Sequence, residues 1–265
     1  MRARLAAAVM LAVAASLPAS AWAQTARVVD VPTRPGVTAR VLYVAPDRAK
    51  AAAILFAGGA GFVGIAPNGR IANGENFLVR TRALFADAGI AVAVLDAPSD
   101  RQREPYLNGF RQTPEHVADV RAVIAWMRAT TQLPVWLIGT SRGTQSVAFA
   151  ATQLPNAAAG GPDGIVLTST ILVGANAQDR AVPQMPLARI AVPVLVVHHV
   201  HDGCAQCPFA DTARLMPSFT GTPRSELIAL DGGSSTGDPC QARAYHGFNG
   251  IESDAVHRIA AWIPG

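Results

Sequence analysis

A chain of 265 residues, half of them apolar and 15% charged, has the material for a continuous core and lacks the composition of a disordered or fibrous protein. Its net charge of +4 is modest, carried almost entirely by arginines that form no run, so a surface tracking a phosphate backbone is excluded and no nucleic-acid partner is expected. The three cysteines, Cys204, Cys207 and Cys240, lie in the last quarter and in an oxidising compartment give one bridge and one leftover thiol.

Residues 1–23 read as an export signal. Arg2 and Arg4 supply charge, Leu5 to Leu17 is an apolar run, and Ala21-Trp22-Ala23 is a small-x-small cleavage site before Gln24. The run is too short for a bilayer, which needs about 20 residues. No cysteine follows the cleavage site to take a lipid. The expectation is a periplasmic or secreted protein, without a membrane anchor once the signal is removed, and with one domain over 24–265.

Ala26 to Val31 and Val37 to Val44 are strand-like and separated by Pro32 and the Pro35-Gly36 turn, which predicts an antiparallel hairpin. Ala51 to Phe56 is a continuous apolar run, as in a strand buried on both faces, and ends in Gly58-Gly59-Ala60-Gly61. A Gly-rich loop runs to Gly74. Phe77, Val79, Leu84 and Phe85 then give helical spacing over 75–88, stopped by Gly89. Ile90 to Leu95 is another buried strand, closed by Asp96-Ala97-Pro98, and an arginine-rich loop follows. Thr113-Pro114, an N-cap with proline at the first helical position, opens a helix through Val117, Val120, Val123, Ile124 and Met127. Leu133 to Gly139 reads as a strand and Arg142 to Leu154 as its helix. Gly164 to Leu172 and Val192 to His199 are strands, Pro208 to Leu215 a helix, Glu226 to Leu230 a short strand and Ile251 to Ile263 a closing helix.

Apolar strands alternating with amphipathic helices mean a mostly parallel sheet covered on both faces, and in such sheets ligands bind beyond the carboxyl ends of the strands. Ser141, Gly59, Asp96 and Asp202 all fall at such ends. Gly139-Thr140-Ser141-Arg142-Gly143 has the form G-x-S-x-G, a sharp strand-to-helix turn that holds a serine proud of the sheet edge. Serine needs a base to take its proton, and the base needs a third group to fix its tautomer. His246, before the last helix, and Asp202, after a late strand, supply these in the chain order that this motif carries.

On these residues and on the Gly58 to Gly61 turn, the whole mature chain resembles the α/β-hydrolase superfamily, and within it exported bacterial serine hydrolases with a Gly-Thr-Ser-Arg-Gly elbow. The resemblance implies a three-layer α/β sandwich with a mostly parallel sheet of about eight strands. It implies Ser141 as nucleophile, His246 as general base and then acid, and Asp202 as the orienting carboxylate. The oxyanion donors would be the N–H of Arg142 and that of Gly59 or Ala60. Where many members have His-Gly, this chain has Ala57-Gly58, a departure that bears on the side-chain support of the turn and not on the chemistry.

Other signals weigh less. Gly59 to Gly64 is a literal G-x-G-x-x-G, yet Pro67 and Asn68-Gly69 break the chain where a dinucleotide site needs a helix. His198, His199, His201, Asp202, Cys204 and Cys207 have metal-ligand letters, but adjacent strand residues face opposite sides, so no metal is expected. Cys204 to Cys240 is the preferred bridge, because it ties the loops of Asp202 and His246 together; Cys207 to Cys240 is the rival. Arg103 and Arg111, with Arg101 in the loop after Ile90 to Leu95, are candidate contacts for an anionic group on the substrate.

The expected activity is hydrolysis of small or accessible carboxylic esters through an acyl-enzyme on Ser141, without a cofactor. Little or no cap is expected, since fewer than about 20 residues separate the Gly164 and Val192 strands. The same triad would serve a peptidase, a lactonase or an acyltransferase. A non-catalytic binding protein on this fold is the reading from another class. The oligomeric state is not legible.

Overall fold

The computed structural model describes residues 24–174 and 179–264; the export signal expected over 1–23 lies outside the described residues. The hairpin is formed by β1 (Gln24–Arg34) and β2 (Val37–Pro46), antiparallel and turned at Gly36, whose φ of 71° suits a residue without Cβ. It continues past the apolar residues at both ends, because Gln24 and Thr25 still pair with Pro46 and Ala45.

The central strands β3 (Ala51–Phe56), β4 (Ile90–Leu95), β5 (Val135–Thr140), β6 (Gly164–Thr168) and β7 (Val194–His199) are buried along their whole length. With β8 (Ser225–Leu230) at the far edge, the eight-stranded sheet has the order β1-β2-β4-β3-β5-β6-β7-β8, and every pair from β4 to β8 is parallel. Alternation along each strand feeds two cores. Ile54, Phe56, Val135 and Leu137 pack on one face with α3 (Pro114–Thr131) and α4 (Gly143–Gln153). Ala53, Leu55, Trp136 and Ile138 pack on the other with α2 (Arg82–Asp87) and α6 (Glu252–Trp262). The result is three layers, with all parallel strands ending on one edge. Among the described residues no helix is long and apolar enough to cross a membrane.

Three elements differ from expectation, each for a local reason. The helix expected over 75–88 is divided into α1 (Phe77–Arg80) and α2, because Thr81 Oγ1 donates to the Phe77 carbonyl at 2.7 Å and the backbone leaves helical geometry there. The strand expected over 164–172 stops at Thr168, where Ser169 turns to φ 44°. The helix expected over 208–215 is a 3₁₀ turn, Phe209–Asp211, followed by the single turn α5 (Thr212–Leu215). Between β6 and β7 the described residues contain only two 3₁₀ turns and no cap.

The start of α3 gives a pH-dependent stability. Thr113 Oγ1 accepts the His116 N–H at 3.2 Å, capping the helix, while the His116 ring is buried with both nitrogens unpartnered among the described residues. Burial first, and then the charges of Arg111 and Arg34, push its pKa down to about 3, against about 6.5 in an unfolded chain. Between those values the unfolded chain binds a proton that the folded chain refuses, so stability falls as pH falls. Urea unfolding at pH 6.5 and 4.5 is expected to show wild type losing about 2 kcal/mol more than His116→Phe. Parallel losses in the two proteins would refute the assignment.

Candidate active site

β5 runs directly into the turn at Ser141, which sits at φ 52° and whose N–H donates to the Thr168 carbonyl at 3.0 Å. A β-carbon on Gly139 would stand 2.6 Å from the Gly143 oxygen, and one on Gly143 would stand 2.1 Å from the Phe56 oxygen. The glycines either side of the serine are therefore required by contact between α4, β5 and β3, and not by φ. The same close approach brings the next loop in: a β-carbon on Gly58 would lie 2.9 Å from Ser141 Cβ.

Asp202 leaves β7 on a turn in which its N–H donates to the His199 carbonyl at 3.1 Å. Its Oδ1 accepts the Cys204 N–H at 2.9 Å, and its Oδ2 lies 2.9 Å from His246 Nδ1. With the proton on Nδ1, His246 presents Nε2 as a base; that nitrogen is buried and has no partner among the described residues. His198 Nε2 lies 2.9 Å from the Cys207 carbonyl, which can only accept, so the proton sits on Nε2 and also faces Asp202 Oδ2 at 3.4 Å. Burial alone would raise the Asp202 carboxyl. Hydrogen bonds from His198 and His246, the charge of His246 and the Cys204 N–H outweigh it and hold the pKa at about 2.

Ser141 and His246 line one open cleft of about 790 Å³ at the carboxyl edge of the sheet, together with Gly59, Ala60, Arg142 and the stacked rings of Phe62 and Tyr106. The N–H groups of Gly59, Ala60 and Arg142 have no acceptor among the described residues. A second groove, of about 600 Å³, runs over α3 and the Phe149 and Gln153 side of α4 and shares no residue with the first.

Cys204 is bonded to Cys240, with an S–S distance of 2.02 Å, across 36 residues of sequence. Closing a loop of that length contributes about 4 kcal/mol in the chain-entropy model. Cys207 is the free cysteine; burial, and then the Asp202 carboxylate, raise its thiol well above the ordinary range, so it is held as an inert thiol. Cys204, Cys207 and His246 have ligand-type atoms within 4.8 Å of one another, but the Cys204 sulfur is committed to the bridge. The neighbouring histidines diverge: His199 Nε2 donates to the Gly232 carbonyl and its ring stacks on Tyr245, while His201 is exposed. The G-x-G-x-x-G stretch opens no helix, and instead the Asp96 carboxylate accepts the N–H groups of Val63 and Ile65, both at 2.8 Å.

The arginines expected to contact an anion are elsewhere. Arg103 is exposed and Arg111 is fully buried, and neither lines the cleft. The 99–113 loop folds back behind the Gly59 turn, with the Leu107 N–H donating to the Ala60 carbonyl. The cationic side chain that does line the cleft is Arg142, whose Nη1 donates to Asn108 Oδ1 at 2.8 Å and so ties the elbow to that loop.

Two further residues hold the His246 loop and are invisible to sequence reasoning. Arg80 Nη2 donates to the carbonyls of Gly247 at 2.7 Å and Ala242 at 3.1 Å and pairs with Glu252. Ser169 Oγ donates to the His246 carbonyl at 2.7 Å. Both partners lie more than seventy residues away in sequence. The positive φ values at Ser169 and, within the loop, at Phe248 are local oddities that are not legible in the letters.

No protein-family model matches the chain, and no curated protein matches its sequence. Among solved structures it is similar to a dienelactone hydrolase from Anabaena variabilis, at 15% identity and a TM-score of 0.64 over 90% of this chain and 96% of that one. It is similar to Est1E from Butyrivibrio proteoclasticus, at 13% identity and a TM-score of 0.59 over 89% and 98%. An alpha-beta serine hydrolase homologue from Coxiella burnetii matches at 17% identity and a TM-score of 0.59 over 89% and 96%. With its sheet order, its elbow between β5 and α4 and these neighbours, the chain has the α/β-hydrolase fold.

Proposed function

We propose that the protein is an exported serine hydrolase that cleaves small or accessible carboxylic esters. The observation that carries the reading is the Asp202–His246 pair at 2.9 Å, with His246 Nε2 left free in the cleft that Ser141 also lines. In the reaction His246 takes the Ser141 proton as the oxygen attacks the ester carbonyl, and the ionised Asp202 stabilises the imidazolium. The N–H of Arg142 and one from the Gly59-Ala60 turn receive the oxyanion. His246 then gives its proton to the departing alcohol, and water, activated by the same base, releases the acid from Ser141. Several structural neighbours are named as esterases or hydrolases, which supports this chemistry over a binding role. The absence of a cap between β6 and β7 among the described residues favours accessible substrates over lipid droplets. Export is supported by the Cys204–Cys240 bridge.

A fluorophosphonate probe tests the reading. Wild type is expected to take up one label, on the peptide containing Ser141, and Ser141→Ala to take up none. A folded wild-type protein that stays unlabelled would exclude the serine mechanism.

A further inference from the structure

Arg111 is a buried cation that no step above uses: 1% of its surface is exposed. Its Nη2 donates to the Gly59 carbonyl at 2.9 Å and its Nη1 to Ser146 Oγ at 3.0 Å. Ser146 is buried on α4, in the turn that follows Arg142. One guanidinium thus joins the two segments that carry the oxyanion donors. The space for it is built in, since a β-carbon on Gly61 would stand 2.8 Å from Nη2 and 2.5 Å from Leu107 Cδ1. Burial lowers the Arg111 pKa to about 10, against the opposing pull of the Asp179 carboxylate, so the group is charged at neutral pH.

A trans peptide holds its C=O and N–H on opposite sides. A guanidinium fixed on the Gly59 oxygen therefore directs the Ala60 N–H away from Arg111, and Ala60 lines the cleft. That N–H has no acceptor among the described residues. The Leu107 N–H, on the Ala60 oxygen at 3.0 Å, fixes the next peptide. A charge-assisted bond to the oxygen of a peptide draws density from its N–H and strengthens it as a donor, the more so away from water. Ala57, which precedes the turn, has no side-chain donor to do this.

We propose that Arg111 is a positioning residue of the oxyanion hole: bridging Gly59 O and Ser146 Oγ, it fixes and polarises the Gly59–Ala60 peptide so that the Ala60 N–H joins that of Arg142 in receiving the tetrahedral oxyanion. The inference rests on the reading of Ser141 as nucleophile.

The test measures p-nitrophenyl acetate hydrolysis and fluorophosphonate labelling rates for wild type, Arg111→Met, Arg111→Lys and Ser146→Ala, with circular dichroism and urea unfolding as checks on the fold. Arg111→Met is expected to lower kcat about 100-fold, the scale of one lost oxyanion donor, while KM stays within about threefold and labelling slows in step. Arg111→Lys, which keeps the charge on a single donor nitrogen, is expected to recover part of the loss, and Ser146→Ala to lose less than Arg111→Met. A folded Arg111→Met with the wild-type kcat, or with a loss confined to KM, would overturn the proposal. If Arg111→Met does not fold, the other two variants decide: wild-type kcat in both overturns the proposal, and a fall in kcat at constant KM sustains it. A wild type that neither hydrolyses nor labels overturns this proposal together with the Ser141 reading, an outcome distinct from an active wild type that is indifferent to Arg111.

Discussion

Ser141→Ala and His246→Ala are each expected to lower kcat for an activated ester by about 10⁵- to 10⁶-fold, and the double variant by no more than either alone. In the proposed mechanism the serine is a nucleophile only while the base takes its proton, so losing either partner removes the same step. Asp202→Asn should cost less, about 10⁴-fold, because the amide can hold the His246 ring while stabilising the wrong tautomer. The site adds a refinement, since His198 Nε2 also faces Asp202 Oδ2 at 3.4 Å and keeps the carboxylate ionised from a second side. Steady-state kinetics on the folded variants checks the series. Losses that multiply in the double variant would mean that Ser141 and His246 act in separate steps, and the triad reading would fail.

Gly143→Ala is expected to be far more disruptive than Gly59→Ala, although the second glycine is the one in left-handed conformation. A methyl on Gly143 would meet the Phe56 oxygen at 2.1 Å and the Ala57 oxygen at 3.0 Å, both backbone atoms that no rotamer change can move. Relief requires α4 to back away from β3, carrying the elbow with it, at an expected cost of more than about 4 kcal/mol. Gly59 has φ 58° and nothing within 4 Å of a β-carbon, so alanine there meets only the left-handed penalty of about 1–2 kcal/mol. Urea unfolding of the two variants ranks them. The opposite order would show that φ, and not helix–strand contact, governs this edge of the sheet.

The strand runs were legible because burial on both faces leaves an unbroken apolar signature, as in Ile90 to Leu95, and Thr113-Pro114 announced its helix through a local rule. The neighbourhood of Ser141 was legible for another local reason: Gly139 and Gly143 are required by contacts within a few residues and one adjacent strand. Most of what escaped depends on side chains finding distant backbone: Ser169, whose hydroxyl reaches the His246 carbonyl, ends a strand whose apolar run continues. Thr81 is the local exception, bonding back to Phe77 and breaking a helix whose apolar spacing is intact. Arg111 sits in a loop whose composition reads as solvated, and only the return of that loop behind Gly59 turns a surface residue into an interior one. The Arg80 contacts with the His246 loop are of the same kind, since nothing near Arg80 in sequence marks a partner 162 or 167 residues away.

The bridge between Cys204 and Cys240 has a topological result. Residues 231–240 are all exposed and contain no regular element, so among the described residues this is the stretch most open to backbone cleavage. Cys240 lies at its far end, before His246 and α6. A cut anywhere in 231–239 therefore leaves the severed C-terminal piece, with His246, fastened through sulfur to the loop of Asp202. The nicked molecule keeps its mass but for one added water, and separates into two fragments only when a reductant is present.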